Sequence, residues 1–139
     1  MKPDPQAEGR RWFLQAGQDL EAARVLTSAG HHNLACFHCQ QAVEKALKAF
    51  LFSRGAWDVR GHGAGALCED AAVLDPAFRE LRSTVAPVDK YYIPTRYPNG
   101  LGMSGLPFEV YDAEDSARAI RIAEQALDFV ERRLAGDRV

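Results

Sequence analysis

Hydrophobic positions along the chain recur at helical spacing, and no stretch alternates apolar and polar residues long enough to read as a strand. From about Gln6 to Ser28 the positions Phe13, Ala16, Leu20 and Ala23 step by three and four, the spacing that lines one face of a helix. Gly30 stands where a left-handed C-terminal cap falls, and Asn33 reads as the N-cap of a second helix running to about Arg54. The short connection makes the two antiparallel neighbours. Residues 55–65 are Gly-rich and read as loop, followed by a short helix from Leu67 to Leu74. Asp75-Pro76 starts another helix that runs to about Val85 and stops before Pro87. Residues 88–111 carry prolines, glycines and tyrosines and form the longest irregular stretch, a functional loop on this reading. Asp112 and Asp115 resemble a capping box that opens the last helix, which extends to about Leu134. That helix has one stripe of Ile120, Ala123, Leu127, Val130 and Leu134 and a second of Ile122, Ala126 and Phe129. Two stripes mean either a core face plus a dimer contact, or a helix sunk in the middle of the core. The pattern predicts an all-α antiparallel bundle of three long helices and two short ones, one domain over 1–139 with a mobile tail over 1–6.

The second helix is the most informative. Ala35, Cys39, Ala42, Ala46 and Ala49 form a small-residue stripe, and Val43, Leu47, Phe50 and Leu51 a bulkier one. Between them His38, Gln41, Lys45 and Lys48 form a polar row at the edge of the core. Such a row either lines a cleft for an anion or is an interhelical hydrogen-bond network, with Glu44 pairing Lys48 at i,i+4. Cys36 and Cys39 share this helix in CFHC, a spacing that small buried thiols explain better than a redox or metal site.

Composition narrows the classes. The 139 residues are 47% hydrophobic and 26% charged, ordinary globular usage for a single domain. Seventeen Lys and Arg against nineteen Asp and Glu give a net charge of −2, so nucleic-acid binding would have to rest on a local cluster. No apolar run spans a membrane and the first residues do not read as a secretory signal. With three cysteines, the expected setting is the reducing cytoplasm.

Two further segments carry chemistry. In YYIPTRYP (91–98) Arg96 lies between Pro94 and Pro98 among tyrosines. Arg suits bidentate phosphate contacts and tyrosines suit base stacking. The alternative is a structural plug in which Arg96 pairs with Asp89 or Glu109. His62, flanked by Gly61 and Gly63 and close to Arg60, is a candidate acid, base or phosphate donor, or a helix-start cap. No phosphate loop ending in GK[ST], no HExxH and no GxSxG occurs.

The run ACFHCQQAVEKALKAFLFSRG, the Gly61-His62 pair and DKYYIPTRYP, in that order, resemble the HEPN domain (higher eukaryotes and prokaryotes nucleotide-binding) in its short stand-alone prokaryotic form, over about residues 10 to 133. The resemblance implies an antiparallel up-and-down helical bundle of about four main helices plus one short helix, usually dimeric, often partnered by a minimal nucleotidyltransferase in a two-gene module. In some members the HEPN protein is an RNA-cleaving toxin. That branch carries Arg, four to six residues, then His near the last main helix. Here no His follows Arg96, and Arg24 with His31 fits the spacing only in the first helix, so no catalytic residue is assigned. The expected function is a nucleotide- or RNA-phosphate-binding module and homodimer partnered by a nucleotidyltransferase. A divergent metal-independent ribonuclease and a purely structural scaffold are the alternatives. The ligand-binding candidates are His38, Gln41, Lys45, His62, Tyr92, Arg96 and Tyr97, with no cofactor, metal or membrane expected.

Overall fold

Three long helices dominate the computed structural model, which describes residues 4–61 and 63–136. Among these residues there are α1 (Pro5–Ser28), α2 (His32–Ser53), α3 (Ala64–Leu74), α4 (Phe78–Val85), α5 (Pro107–Val110) and α6 (Ala113–Gly136), with no strand. The stretch expected to be irregular contains α5 and two 3-10 turns, Ala86–Tyr91 and Pro98–Gly100.

The helix ends follow from local chemistry. Asp4 caps α1 by accepting from the Ala7 amide at 2.9 Å, and Pro5 begins the helix. The expected tail over 1–6 is therefore shortened: residues 5 and 6 are helical, and 1–3 lie outside the described residues. At Gly30 the φ of 85° supports a Schellman ending, in which His31 donates its amide to the Leu26 carbonyl at 2.8 Å. Gly55, φ 100°, ends α2 the same way, with the Ala56 amide on the Leu51 carbonyl at 3.1 Å. Asp112 and Asp115 exchange side-chain and backbone hydrogen bonds at 2.9 and 3.0 Å, a reciprocal box in which Asp replaces the longer Glu. Asn33 is not the N-cap of α2. His31 holds that position, and Asn33 lies one residue inside the helix with its side chain committed elsewhere. Likewise Asp75 caps a turn through the Ala77 amide at 3.1 Å, and α4 begins only at Phe78.

α2 is the centre of the bundle. It packs along α1 and against α6, with α3 and the first 3-10 turn on its remaining flank. Sixteen of its 22 residues are buried, so it is α2, not the last helix, that is enclosed. Close approach is possible because Ala16 and Ala23 of α1, Ala35, Ala42, Ala46 and Ala49 of α2, and Ala119, Ala123 and Ala126 of α6 are all completely buried small residues. Larger groups fill the end nearest α4, where Phe78 meets Phe50 at 4.4 Å and Phe129 edge-on at 4.9 Å. The two stripes of α6 merge into one broad face within the chain: Ile122, Ala123, Ala126, Leu127 and Val130 are buried and Ile120, Phe129 and Leu134 pack partly against them. A triangle of Thr27, His32 and Ser116, with Ser116 Oγ 2.9 Å from the His32 Nδ1, ties the adjoining ends of α1, α2 and α6.

Two glycines on α1 test this geometry in opposite directions. A Cβ at Gly9 would lie 2.8 Å from the Ala49 carbonyl oxygen and from Ser53 Cβ, whereas one at Gly17 would meet nothing within 4 Å. Gly9→Ala is expected to destabilise the protein by about 1–2 kcal/mol through overpacking, despite its better helix propensity. Gly17→Ala is expected to stabilise it by about 0.5–1 kcal/mol. Urea unfolding of the two variants against the parent checks both signs.

Candidate functional site

The strap from Val88 to Tyr97 is placed by what it buries. Val88, Tyr91 and Thr95 are in the core, and burial pushes the Tyr91 phenol up to about 12. Pro94 cannot donate a backbone hydrogen bond, so the strap turns on others. The amides of Arg96 and Tyr97 both reach the Ile93 carbonyl, at 3.1 and 3.2 Å. The Thr95 hydroxyl donates to the Tyr91 carbonyl, and the Thr95 carbonyl accepts from Asn33 Nδ2 at 2.9 Å. This last bond fastens the strap to the first turn of α2.

So anchored, the strap presents Arg96 to the outer face of α2. The guanidinium carbon lies 4.2 Å from the centre of the Phe37 ring, 4.8 Å from Tyr92 and 5.0 Å from Tyr97. Nε donates to the Tyr92 carbonyl at 2.9 Å. Neither acid proposed as a plug holds Arg96. Asp89 instead accepts from the backbone amides of Ala64 and, at 3.3 Å, Gly65, serving as the N-terminal cap that Gly63 cannot supply to α3. Among the described residues no carboxylate pairs with Arg96.

The rest of the candidate surface is the part of α2 that its neighbours leave open: His32, Leu34, Phe37, His38, Gln41 and Lys45, all half-buried. The polar row here is largely an interhelical network. Lys45 donates to Asp19 of α1 at 2.6 Å, and Asp19 also accepts from Gln15 at 3.2 Å. Gln41 donates to Gln40 at 2.7 Å, and Gln40 to Glu44 at 3.2 Å. Lys48 and Glu44 form a 3.0 Å ion pair with side chains only 7% and 6% exposed. His38 packs edge-on to Phe37 with ring centres 5.3 Å apart, and its Nδ1 is buried without a hydrogen-bond partner. Burial lowers the His38 pKa, Asp19 raises it and Lys45 lowers it. Lys45 also lines an open groove of about 570 Å³ beside Trp12 and Gln15.

The structure thus gathers Tyr92, Arg96 and Tyr97 on Phe37, beside His38. Gln41 and Lys45 follow one and two turns further along α2, and His62 lies outside the described residues. Sequence reasoning missed Phe37 and Asp19. The signal for Phe37 was its spacing, since 37, 41 and 45 share one edge of the helix. Asp19 gave none, because its partner is on another helix. Arg24 is engaged by Glu21 and, at 2.9 Å, by Glu124. The three cysteines are free and buried, and burial pushes the Cys36 and Cys68 thiols up to about 12 and the Cys39 thiol upward as well, away from reactive thiolates. Among the described residues no group of three or more His, Cys, Asp and Glu side chains is arranged to hold a metal.

Comparison with known proteins is consistent along the length of the chain. The HEPN domain family model matches residues 10–133. A Methanocaldococcus jannaschii protein named "Putative toxin MJ1304" is 28% identical over 127 residues, 86% of this chain and 83% of that protein. The crystal structure of TT1696 from Thermus thermophilus is similar with a TM-score of 0.78 and 36% identity, covering 90% of this chain and 97% of that one. That of ST0689, an archaeal HEPN homologue, has a TM-score of 0.75 and 34% identity, covering 96% and 99%.

Two substitutions probe the site without any ligand. Asn33→Ala leaves the buried Thr95 carbonyl unsatisfied, so it is expected to lower stability by about 1–3 kcal/mol and to speed tryptic cleavage after Lys90 and Arg96. Chemical denaturation and limited proteolysis report the two effects. His38 has a folded-state pKa below its ordinary 6.5, so the unfolded chain takes up the proton first. Stability is therefore full above pH 6.5 and declines as the pH falls below it, until the folded-state pKa is passed. Urea midpoints between about pH 7.5 and 5 are expected to show this decline, flattened in His38→Gln.

Proposed function

The chain belongs to the HEPN domain family, and on that footing we propose that it is a nucleotide- or RNA-phosphate-binding module centred on Arg96. The observation that carries this reading is the state of the guanidinium: held between three aromatic rings and free of any acid among the described residues. A guanidinium stacked on rings is weakly hydrated and oriented, and only its Nε is taken up by the protein. Its outer nitrogens suit two oxygens of a phosphate, while the half-exposed Tyr97 and Tyr92 rings suit a base. His38 and Gln41 would border the bound group. Lys45, clasped by Asp19, would add attraction from a distance rather than contact. We keep His62 as a candidate phosphate contact from the sequence alone.

The wider role we infer is that of a cytoplasmic, homodimeric partner of a minimal nucleotidyltransferase in a toxin–antitoxin-like pair. The toxin name of the Methanocaldococcus relative supports the toxin-like part. Support for protein partners comes from residues 93–110, where Ile93, Met103, Leu106, Phe108 and Val110 stand exposed. The buried apolar core forms one cluster drawn from α1, α2, α3, α4, the first 3-10 turn and α6, which supports a single domain.

ATP or GTP at ten times its dissociation constant would stabilise the folded chain by about 1.4 kcal/mol, a rise in melting temperature of about 4 °C. Arg96→Ala is expected to abolish this rise, and Tyr92→Leu to reduce it. A rise that persists in Arg96→Ala, or none in the parent protein with millimolar nucleotide or a short RNA, overturns the reading. Thermal melts monitored by circular dichroism decide.

A further inference from the structure

Fifteen residues along α2 from Phe37, about 22 Å on helical geometry, Phe52 marks a second aromatic region of opposite charge. Phe52 stacks on Trp12 with ring centres 5.0 Å apart and planes 27° from parallel. Beside this pair the chain leaves α2 through Gly55, and Trp57 stands 71% exposed. Between Phe52, Trp57 and the start of α1 lies a pocket of about 390 Å³, within the usual size range of small-molecule sites. Gly55 lines this pocket, and a Cβ there would meet nothing within 4 Å.

The polar groups of this pocket are two carboxylates, Asp4 and Glu8, and among the described residues no Lys or Arg lines it. The C-terminus of α2 and the N-terminus of α1 lie side by side here, so their opposed helix dipoles largely compensate and the carboxylates set the sign of the field. Glu8 is held in place by Trp12, whose Nε1 donates to it at 3.1 Å. Its other contact, Arg11 at 3.0 Å, is 77% exposed on the arginine side and easily exchanged. Aromatic faces beside carboxylates, in an otherwise apolar hollow, are the chemistry that recognises an organic cation.

We propose that the pocket between Phe52, Trp57, Asp4 and Glu8 binds an alkylammonium or guanidinium group. Two sources share that chemistry: a free polyamine, and a Lys or Arg side chain offered by a protein partner. The site does not depend on Arg96 and stands apart from the function proposed above.

Trp12 and Trp57 are the chain's only tryptophans, so its indole fluorescence reports on this pocket and its immediate surroundings. Titration with putrescine and with N-acetyl-arginine amide is expected to give a saturable change at millimolar concentration or below. N-acetyl-citrulline amide, the neutral analogue of the arginine, and sodium chloride at equal ionic strength are expected to give none. Asp4→Asn with Glu8→Gln keeps the α1 cap and the Trp12 hydrogen bond but removes both charges, and is expected to weaken binding at least tenfold. Trp57→Leu, read through Trp12, is expected to do the same, while Arg96→Ala leaves the titration unchanged. Tighter binding of putrescine assigns the site to a free polyamine, and tighter binding of the arginine amide to a partner's side chain. No saturable change, an equal response to N-acetyl-citrulline amide, or full affinity in the doubly neutralised variant, with its melting temperature retained, overturns the proposal.

Discussion

The enclosure of α2 by α1 and α6 constrains nearly everything else. A helix with sixteen of 22 residues buried has little room for side chains, and so its inner faces are rich in alanine and cysteine. The few polar groups on those faces have to find partners on the spot. Glu44 and Lys48 do so as an i,i+4 pair with almost no exposure, and Gln40 completes the ladder. Such a pair adds little net stability over an apolar pair, yet removing one member leaves a buried charge that costs about 3–5 kcal/mol. This ladder therefore fixes which face of α2 turns inward. The six half-buried residues that remain are the stretch of α2 on which the strap settles.

Much of this was legible in the letters. Helix periodicity, the Gly30 stop and the Asp112–Asp115 box are local, and local chemistry determines them. The Glu44–Lys48 pair was legible for the same reason. What was not legible depends on contacts between distant segments. Asn33 has the composition of an N-cap, but a buried carbonyl 62 residues away claims its side chain. Lys45 looks like a free cation until Asp19 is seen across the α1–α2 seam, 26 residues back. Arg96 looks like the partner of Asp89, but two backbone amides of α3 take that carboxylate first. The strap was recognisable as a special segment. Its aromatic companion Phe37 was hidden within a motif that drew attention to its cysteines.

The two ends of the α2 surface have contrasting character. Near the first turns an arginine lies among aromatic rings without a carboxylate among the described residues, and near the last turn aromatic rings accompany carboxylates without a lining cation among them. A net charge of −2 hides this arrangement, because charge summed over a chain says nothing about where each sign is displayed. The interhelical network of Lys45, Asp19 and Gln15 lies between them and keeps its own charges neutralised. Each end can therefore attract its own kind of group without the two fields cancelling within a screening length of about 8 Å.

The reach of Asp89 has a dynamic consequence. Helix α3 begins at a glycine and has no cap of its own, so its first turn depends on a side chain carried by a different segment. When that segment lifts, α3 loses its terminal support and frays; when it is clamped, α3 is held shut. The stability of the first turn of α3 is thus tied to that of the segment carrying Asp89. Any event that stills the tyrosine-bearing segment would be relayed to the first turn of α3 without passing through the bundle core.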